Sequence, residues 1–171
     1  RYFTYISDAA HGDFGDSLKQ RGRTVMGIIT ARFPVSAGLG GRAILLSLCL
    51  GIPLGVFAAY KRGTVIDSIL SIIATCGMAV PNFVICTLLL YLLGVKLQIL
   101  PTLGLTTWNS YIMPVAALSA YPTSYIMRLM RSSMLDVLGQ DYMRTAKAKG
   151  LNQKVSLFKH ALRNAILPVV T

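Results

Sequence analysis

The 171 residues carry 17 lysines and arginines against 6 acidic residues, a net charge of +11, yet 54% are hydrophobic, 13% are charged and the mean hydropathy is +0.59. A water-soluble domain is roughly a quarter charged, and a nucleic-acid module gathers its basic residues on one face with aromatic partners. Here long uncharged runs split the basic residues into clusters, and the cluster from Arg144 to Arg163 holds one aromatic, Phe158, which excludes both classes and leaves the pattern of basic flanks around membrane spans.

The chain opens at Arg1 without a methionine or a leader-like pattern and closes at Thr171 while the apolar run Ala165, Ile166, Leu167, Val169, Val170 is developing, so it is expected to be cut at both ends. Residues 1–32 mix Asp8, Asp13 and Asp16 with basic residues and are expected to lie outside the membrane on the extracytoplasmic side. A transmembrane domain, 33–171, follows, with spans at about 35–60, 66–95, 111–133 and 161–171, the last incomplete. The first contains 18 uncharged residues from Ala43 to Tyr60; at about 1.5 Å per residue these cover about 27 Å of a hydrocarbon layer roughly 30 Å thick. Ser68 to Val95 is a longer uncharged run.

Each span is interrupted near its middle by proline: Pro53 beside Gly51 and Gly55, Pro81 beside Asn82, and Pro122 before Thr123 and Ser124. Interior proline frees a carbonyl and bends a helix, and broken helices in membranes line binding pathways or are satisfied by neighbouring helices. Pro53, Pro81, Asn82 and Pro122 are therefore the candidate hinge and pathway residues. Arg42 is expected to snorkel to the outer interface, and Cys49, Cys76 and Cys86, which lack any metal-ligand spacing, read as buried packing.

Orientation follows the basic residues. Lys61 and Arg62 lie between the first two spans, and eight lysines and arginines from Arg128 to Arg163 lie between the third and fourth. Both loops fall on one face, the cytoplasmic one, with the 96–110 loop opposite.

The chain has no glutamate, its aspartates lie outside the spans or, as Asp67, at a membrane edge, and its two histidines, His11 and His160, lie outside the spans as well. A proton- or sodium-driven carrier needs an ionisable group at mid-membrane, and an intramembrane hydrolase needs a catalytic constellation. No GxxxxGK[ST] phosphate loop occurs either, so energy for uphill transport must arrive from another subunit.

The segment 139–160 offers that subunit a handle. Gly139 ends the preceding helix, Asp141 is a candidate N-cap, and Gly150 is a candidate terminator of a helix of about eight residues, about 12 Å long. Asn152 then caps an amphipathic helix carrying Val155, Phe158, Leu162 and Ala165, with Lys154, Lys159 and Arg163 among them. Such a protrusion suits another protein's groove, or, in the plainer alternative, an anionic lipid surface.

The run Asp141-Tyr142-Met143-Arg144-Thr145-Ala146-Lys147-Ala148-Lys149-Gly150-Leu151, with His160-Ala161-Leu162-Arg163-Asn164-Ala165 and Leu167-Pro168, resembles the ATPase-coupling loop of binding-protein-dependent ABC permeases of the peptide and nickel class. The general pattern is Glu-Ala-Ala, three residues, Gly, nine residues, Ile, one residue, Leu-Pro. Arg144, Thr145 and Ala146 occupy the Glu-Ala-Ala positions, Gly150 and Leu162 match, and His160 and Arg163 depart from the isoleucine and proline in the manner of the peptide permeases. Gly12-Asp13-Phe14-Gly15-Asp16-Ser17-Leu18, Gly51-Ile52-Pro53-Leu54-Gly55 and Arg128-x-x-Arg131-Ser132-Ser133-Met134-Leu135 resemble further elements of the first of the two permease subunits.

The resemblance implies an all-α polytopic bundle of the ABC importer permease (MetI-like) type in a bacterial or archaeal inner membrane. It implies a transport subunit that binds no cofactor itself. The partners would be a second permease subunit, two ATP-binding cassette subunits that use ATP, and an extracytoplasmic solute-binding protein. Asp141, Tyr142, Arg144, Thr145, Ala146, Lys147, Ala148, Gly150 and Leu151 become the ATPase-coupling residues. Di- or oligopeptides are the expected solutes, with nickel or glutathione as alternatives from the same class and a channel or scaffold with a lipid-binding basic loop as the alternative from another.

Overall fold

The computed structural model describes residues 2–143 and 161–171. Among them the secondary structure is helical, and the single β pairing is an isolated bridge between Asp16 and Thr24. The chain divides into two compact units, residues 1–41 and 42–171, and one long helix contributes residues to both.

In the first unit, α1 (Tyr2–Ala10) is followed by a tight loop in which Gly12, Gly15 and Gly22 all take positive φ. The loop closes on itself: the Gly15 N–H donates to Asp13 Oδ1 at 2.9 Å, the Ser17 N–H to the Arg23 carbonyl at 2.9 Å, and the Val25 N–H to the Gly15 carbonyl at 3.0 Å. The Asp13 side chain thus mimics a backbone turn, which is why an aspartate sits between two glycines here. Thr24 Oγ1 accepts from the Gly27 N–H at 3.2 Å and caps α2 (Val25–Tyr60).

The second unit is assembled around α5 (Ile112–Leu138). The part of α2 from Arg42 onward runs parallel to it in a constant register: Ser47 meets Ser119, Gly51 meets Thr123, and Gly55 meets Met127. Ala43, Ser47, Gly51, Gly55 and Ala59, spaced four apart, are all buried and form one stripe down α2. Helix α3 (Val65–Ala79) lies antiparallel to α5, with Asp67 against Arg131 at one end and Gly77 against Ser124 near the other.

The buried residues are mostly Ala, Gly, Ser and Met, whereas Ile44 (60% exposed), Leu45 (64%), Ile72 (62%) and Phe83 (72%) face outward. That inverts the arrangement of a water-soluble protein. In hydrocarbon there is no hydrophobic force between helices, so small residues that let backbones approach decide the contacts and large aliphatic residues face the solvent. The cysteines follow the same rule: Cys49 and Cys76 are exposed and Cys86 is half-buried, not packed inside as the sequence suggested. An apolar side chain on an outward face costs nothing when the surroundings are apolar.

The three prolines behave differently. Pro53 lies within α2 and Pro122 within α5, and neither ends its helix. The run expected as a span at 66–95, interrupted at Pro81, comprises two helices, α3 and α4 (Asn82–Leu89), the latter continued by a π-helical stretch, Leu90–Lys96, and inclined to α3 by 101°. Pro81 causes the break. Its ring disfavours the α conformation in the residue before it, and Val80 is extended (φ −82°, ψ 123°), while the Pro81 carbonyl accepts from the Val84 N–H at 3.0 Å to start α4.

Pro122 has no N–H to donate to the Leu118 carbonyl one turn before it. Close by, α2 is tied to α5: Ser47 Oγ lies 2.7 Å from the Ala43 carbonyl of its own helix and 3.2 Å from the Ser119 carbonyl.

Between α4 and α5 the chain forms a loop with Gln98 and Gly104 at positive φ, and a 3-10 turn, Trp108–Tyr111, leads into α5. Thr107 and Ser110 close a capping box there, their hydroxyls 2.9 Å apart. Arg42 stands with its guanidinium carbon 4.4 Å from the centroid of the Tyr111 ring, a cation–π contact that gives its charge a partner at the end of the bundle where this loop lies.

Candidate functional site

Of the coupling residues expected from the sequence, Asp141 and Tyr142 are described, while Arg144, Thr145, Ala146, Lys147, Ala148, Gly150 and Leu151 lie outside the described residues. What is described is the base from which that segment leaves and to which it returns. Helix α5 ends at Leu138 with Gly139 as its C-cap, in the right-handed region (φ −79°) and not the left-handed one. Asp141 is the first helical residue after the turn, and the Met143 N–H donates to the Gln140 carbonyl at 3.1 Å. An acid in a first helical turn suits the positive end of the helix dipole.

The two ends of the segment are pinned to one another and to the bundle. Asn164 Nδ2, in α6 (Leu162–Ala165), donates to the Tyr142 hydroxyl at 2.9 Å. Met143 (2% exposed), Ala161 and Ala165 pack against Met130 and Met134 of α5 and against Val56 and Ala59 of α2. Beyond, α7 (Leu167–Val170) also contacts α5. The residues on either side of 144–160 therefore lie in a packed cluster, and close-packed interiors transmit strain.

Next to this base lies a feature that the sequence reading missed. Asp67, in the first turn of α3, is 5% exposed, and both of its oxygens are engaged. Oδ1 accepts from Arg131 Nε at 2.6 Å, and Oδ2 accepts from Arg131 Nη2 at 2.8 Å and from the Gly63 N–H at 3.0 Å. Gly63, at φ +77°, makes the turn that brings its N–H to the carboxylate. The signal was present in the composition: Asp67 is the single acid between the first and third spans, and a charge at a span edge needs a partner. What no spacing rule gave was the partner, 64 residues away.

The candidate hinge residues are spread along the bundle. Pro53 and Pro122 lie on α2 and α5, which are in contact, whereas Pro81 and Asn82 stand at the exposed bend between α3 and α4. The Gly12 to Leu18 element lies in the first unit as the tight loop described above.

Comparison with known proteins agrees with the coupling-loop resemblance. Residues 51–171 match the family described as "Binding-protein-dependent transport system inner membrane component". The whole chain is 42% identical to the dipeptide transport system permease protein DppB of Bacillus subtilis (strain 168) and 42% identical to the oligopeptide transport system permease protein OppB of Salmonella typhimurium. It is 39% identical to the DppB of Lactococcus lactis subsp. cremoris. In each case it spans 56% of the relative's length. With its helices packed through small residues and the family match covering more than half of its length, the chain belongs to the family of binding-protein-dependent transport system inner membrane components.

Proposed function

We propose that the subunit carrying this chain forms half of the translocation pathway of an ATP-driven importer for di- or oligopeptides. In this reading residues 141–151 dock in a cleft on a cytoplasmic ATPase. The observation that carries the reading is identity of 39–42% along the entire chain to permeases named for dipeptide and oligopeptide transport. The packed base of the segment supports it, because Met143, Ala161 and Ala165 connect both of its ends to α2 and α5.

The partners are a second, different permease subunit, two ATP-binding cassette subunits that hydrolyse the ATP, and an extracytoplasmic solute-binding protein. The subunit crosses a bacterial or archaeal cytoplasmic membrane several times, surrounded by lipid, and binds no cofactor of its own. Closure of the ATPases moves the base cluster, and the helices around Pro53, Pro81, Asn82 and Pro122 alternate between outward and inward access. The loops at 12–18 and 96–110 receive solute from the binding protein.

Reconstitution of the full-length subunit with these partners tests the proposal. Import of labelled di- and oligopeptides that requires both ATP and the binding protein is the expected result. Import of nickel or glutathione in place of peptide would move the substrate within the class, and solute flux independent of ATP would favour a channel and refute the coupling.

A further inference from the structure

Two features of α5 lie within two helical turns of one another. Arg131 holds Asp67 through a two-pronged contact, and Met130 and Met134, both fully buried, hold Met143, Ala161 and Ala165 at the base of the coupling segment. Through Gly63 the same carboxylate also fixes the 61–64 turn that joins α2 to α3. The last turns of α2, the first turn of α3 and the base of the coupling segment are thus all referred to the stretch of α5 between Met127 and Met134.

Attachment alone does not require an ion pair there. Ala74 packs with Met127 and Ala58, and Gly77 sits against Ser124, so α3 is already held to α5 along its length by small-residue contacts. Such contacts tolerate sliding and rotation about the helix axis. A guanidinium fork on a carboxylate does not, because both hydrogen bonds keep their geometry in one relative orientation only. The carboxylate is 7% exposed and the arginine side chain 30%, so separating them leaves a buried carboxylate with the Gly63 N–H alone to compensate it.

We infer that Asp67 and Arg131 are positioning residues that oblige α3 and the 61–64 turn to follow α5 when the coupling segment moves. The inference rests on the reading given under Proposed function and extends it: the ATPase stroke reaches α3 through this pair and not through the small-residue contacts of α3 with α5 alone. Loss of the fork leaves α5 free to move while α3 lags.

The test uses the complete transporter in lipid nanodiscs and proteoliposomes, with the wild type beside Asp67→Asn, Arg131→Gln and Arg131→Lys. Hydrogen exchange over residues 61–67 is followed on adding ATP and vanadate, and solute imported per ATP hydrolysed is measured separately. In the wild type, nucleotide is expected to alter exchange at 61–67. In the variants that response is lost and import per ATP falls about tenfold, within the usual span of coupling free energies, while assembly and basal hydrolysis persist. Arg131→Lys is expected to fail with the others, since it keeps the charge but not the fork. The inference is overturned by a wild-type segment that ignores nucleotide, by variants with the wild-type response and coupling ratio, or by variants that do not assemble, which would make the pair a folding element. A wild type that responds at 61–67 yet imports no peptide sinks the substrate reading and leaves the pair's role standing on the exchange data.

Discussion

Replacing Gly55 with valine is expected to prevent α2 from seating on α5. A Cβ at this position would stand 2.6 Å from the Met127 carbonyl oxygen and 2.6 Å from Met130 Cβ, closer than non-bonded atoms sit. The obstruction is backbone and the root of a side chain, so no rotamer change relieves it, and valine adds two methyl groups beyond the Cβ. Overpacking of this kind costs about 1–3 kcal/mol when the surroundings can relax. Here relaxation would part the helices and break the Ser47 to Ser119 hydrogen bond two turns away. The full-length subunit purified in detergent is expected to melt about 5 °C lower or more and to give a reduced yield of folded protein. Gly40→Ala is the control: a Cβ there meets nothing within 4 Å, and no loss is expected. Equal melting of the Gly55→Val protein and wild type would refute the parallel register of α2 and α5.

Gly150→Val is expected to produce a different failure, a subunit that inserts and assembles but no longer couples hydrolysis to import. A helix that stops at a glycine commonly takes the left-handed conformation there, and an L-residue in that region costs roughly 1–2 kcal/mol, more for a β-branched side chain. In the proposed reading a turn at 150 ends the helix that meets the ATPase; with Met143 and Ala161 held in the base cluster, altering that turn would displace the helix. Import per ATP hydrolysed should fall about tenfold or more, with the quantity of assembled complex unchanged. Undiminished import would mean that the turn at Gly150 is not where the helix ends.

The parts of this architecture that depend on local pattern were legible in the sequence. The apolar runs that became α2 and α5 were identifiable, as were the helix end at Gly139 and the interruption at Pro81, because each follows from hydropathy or from backbone sterics within a few residues. Pro53 and Pro122 look the same as Pro81 on paper, yet their helices continue. Nothing local separates the three, since each proline removes one helical hydrogen bond and restricts the residue before it. Pairing of Asp67 with Arg131 was hidden too, since it depends on which faces of α3 and α5 meet. The cysteines were misread because the expectation that cysteine is buried comes from proteins in water. In an apolar medium that expectation has no basis, and Cys49 and Cys76 face outward beside Leu45, Leu50 and Ile72.

Capture of an ATPase by the 141–151 segment tests the central claim most directly. Single cysteines are introduced at Thr145 or Ala148 in a full-length subunit whose native cysteines have been replaced, and the intact complex is treated with a short thiol cross-linker. The expected product is a covalent adduct with an ATP-binding cassette subunit, its yield changing when ATP and vanadate are added. Complexes that import solute but yield no such adduct from either position would contradict the assignment of this segment as the ATPase contact.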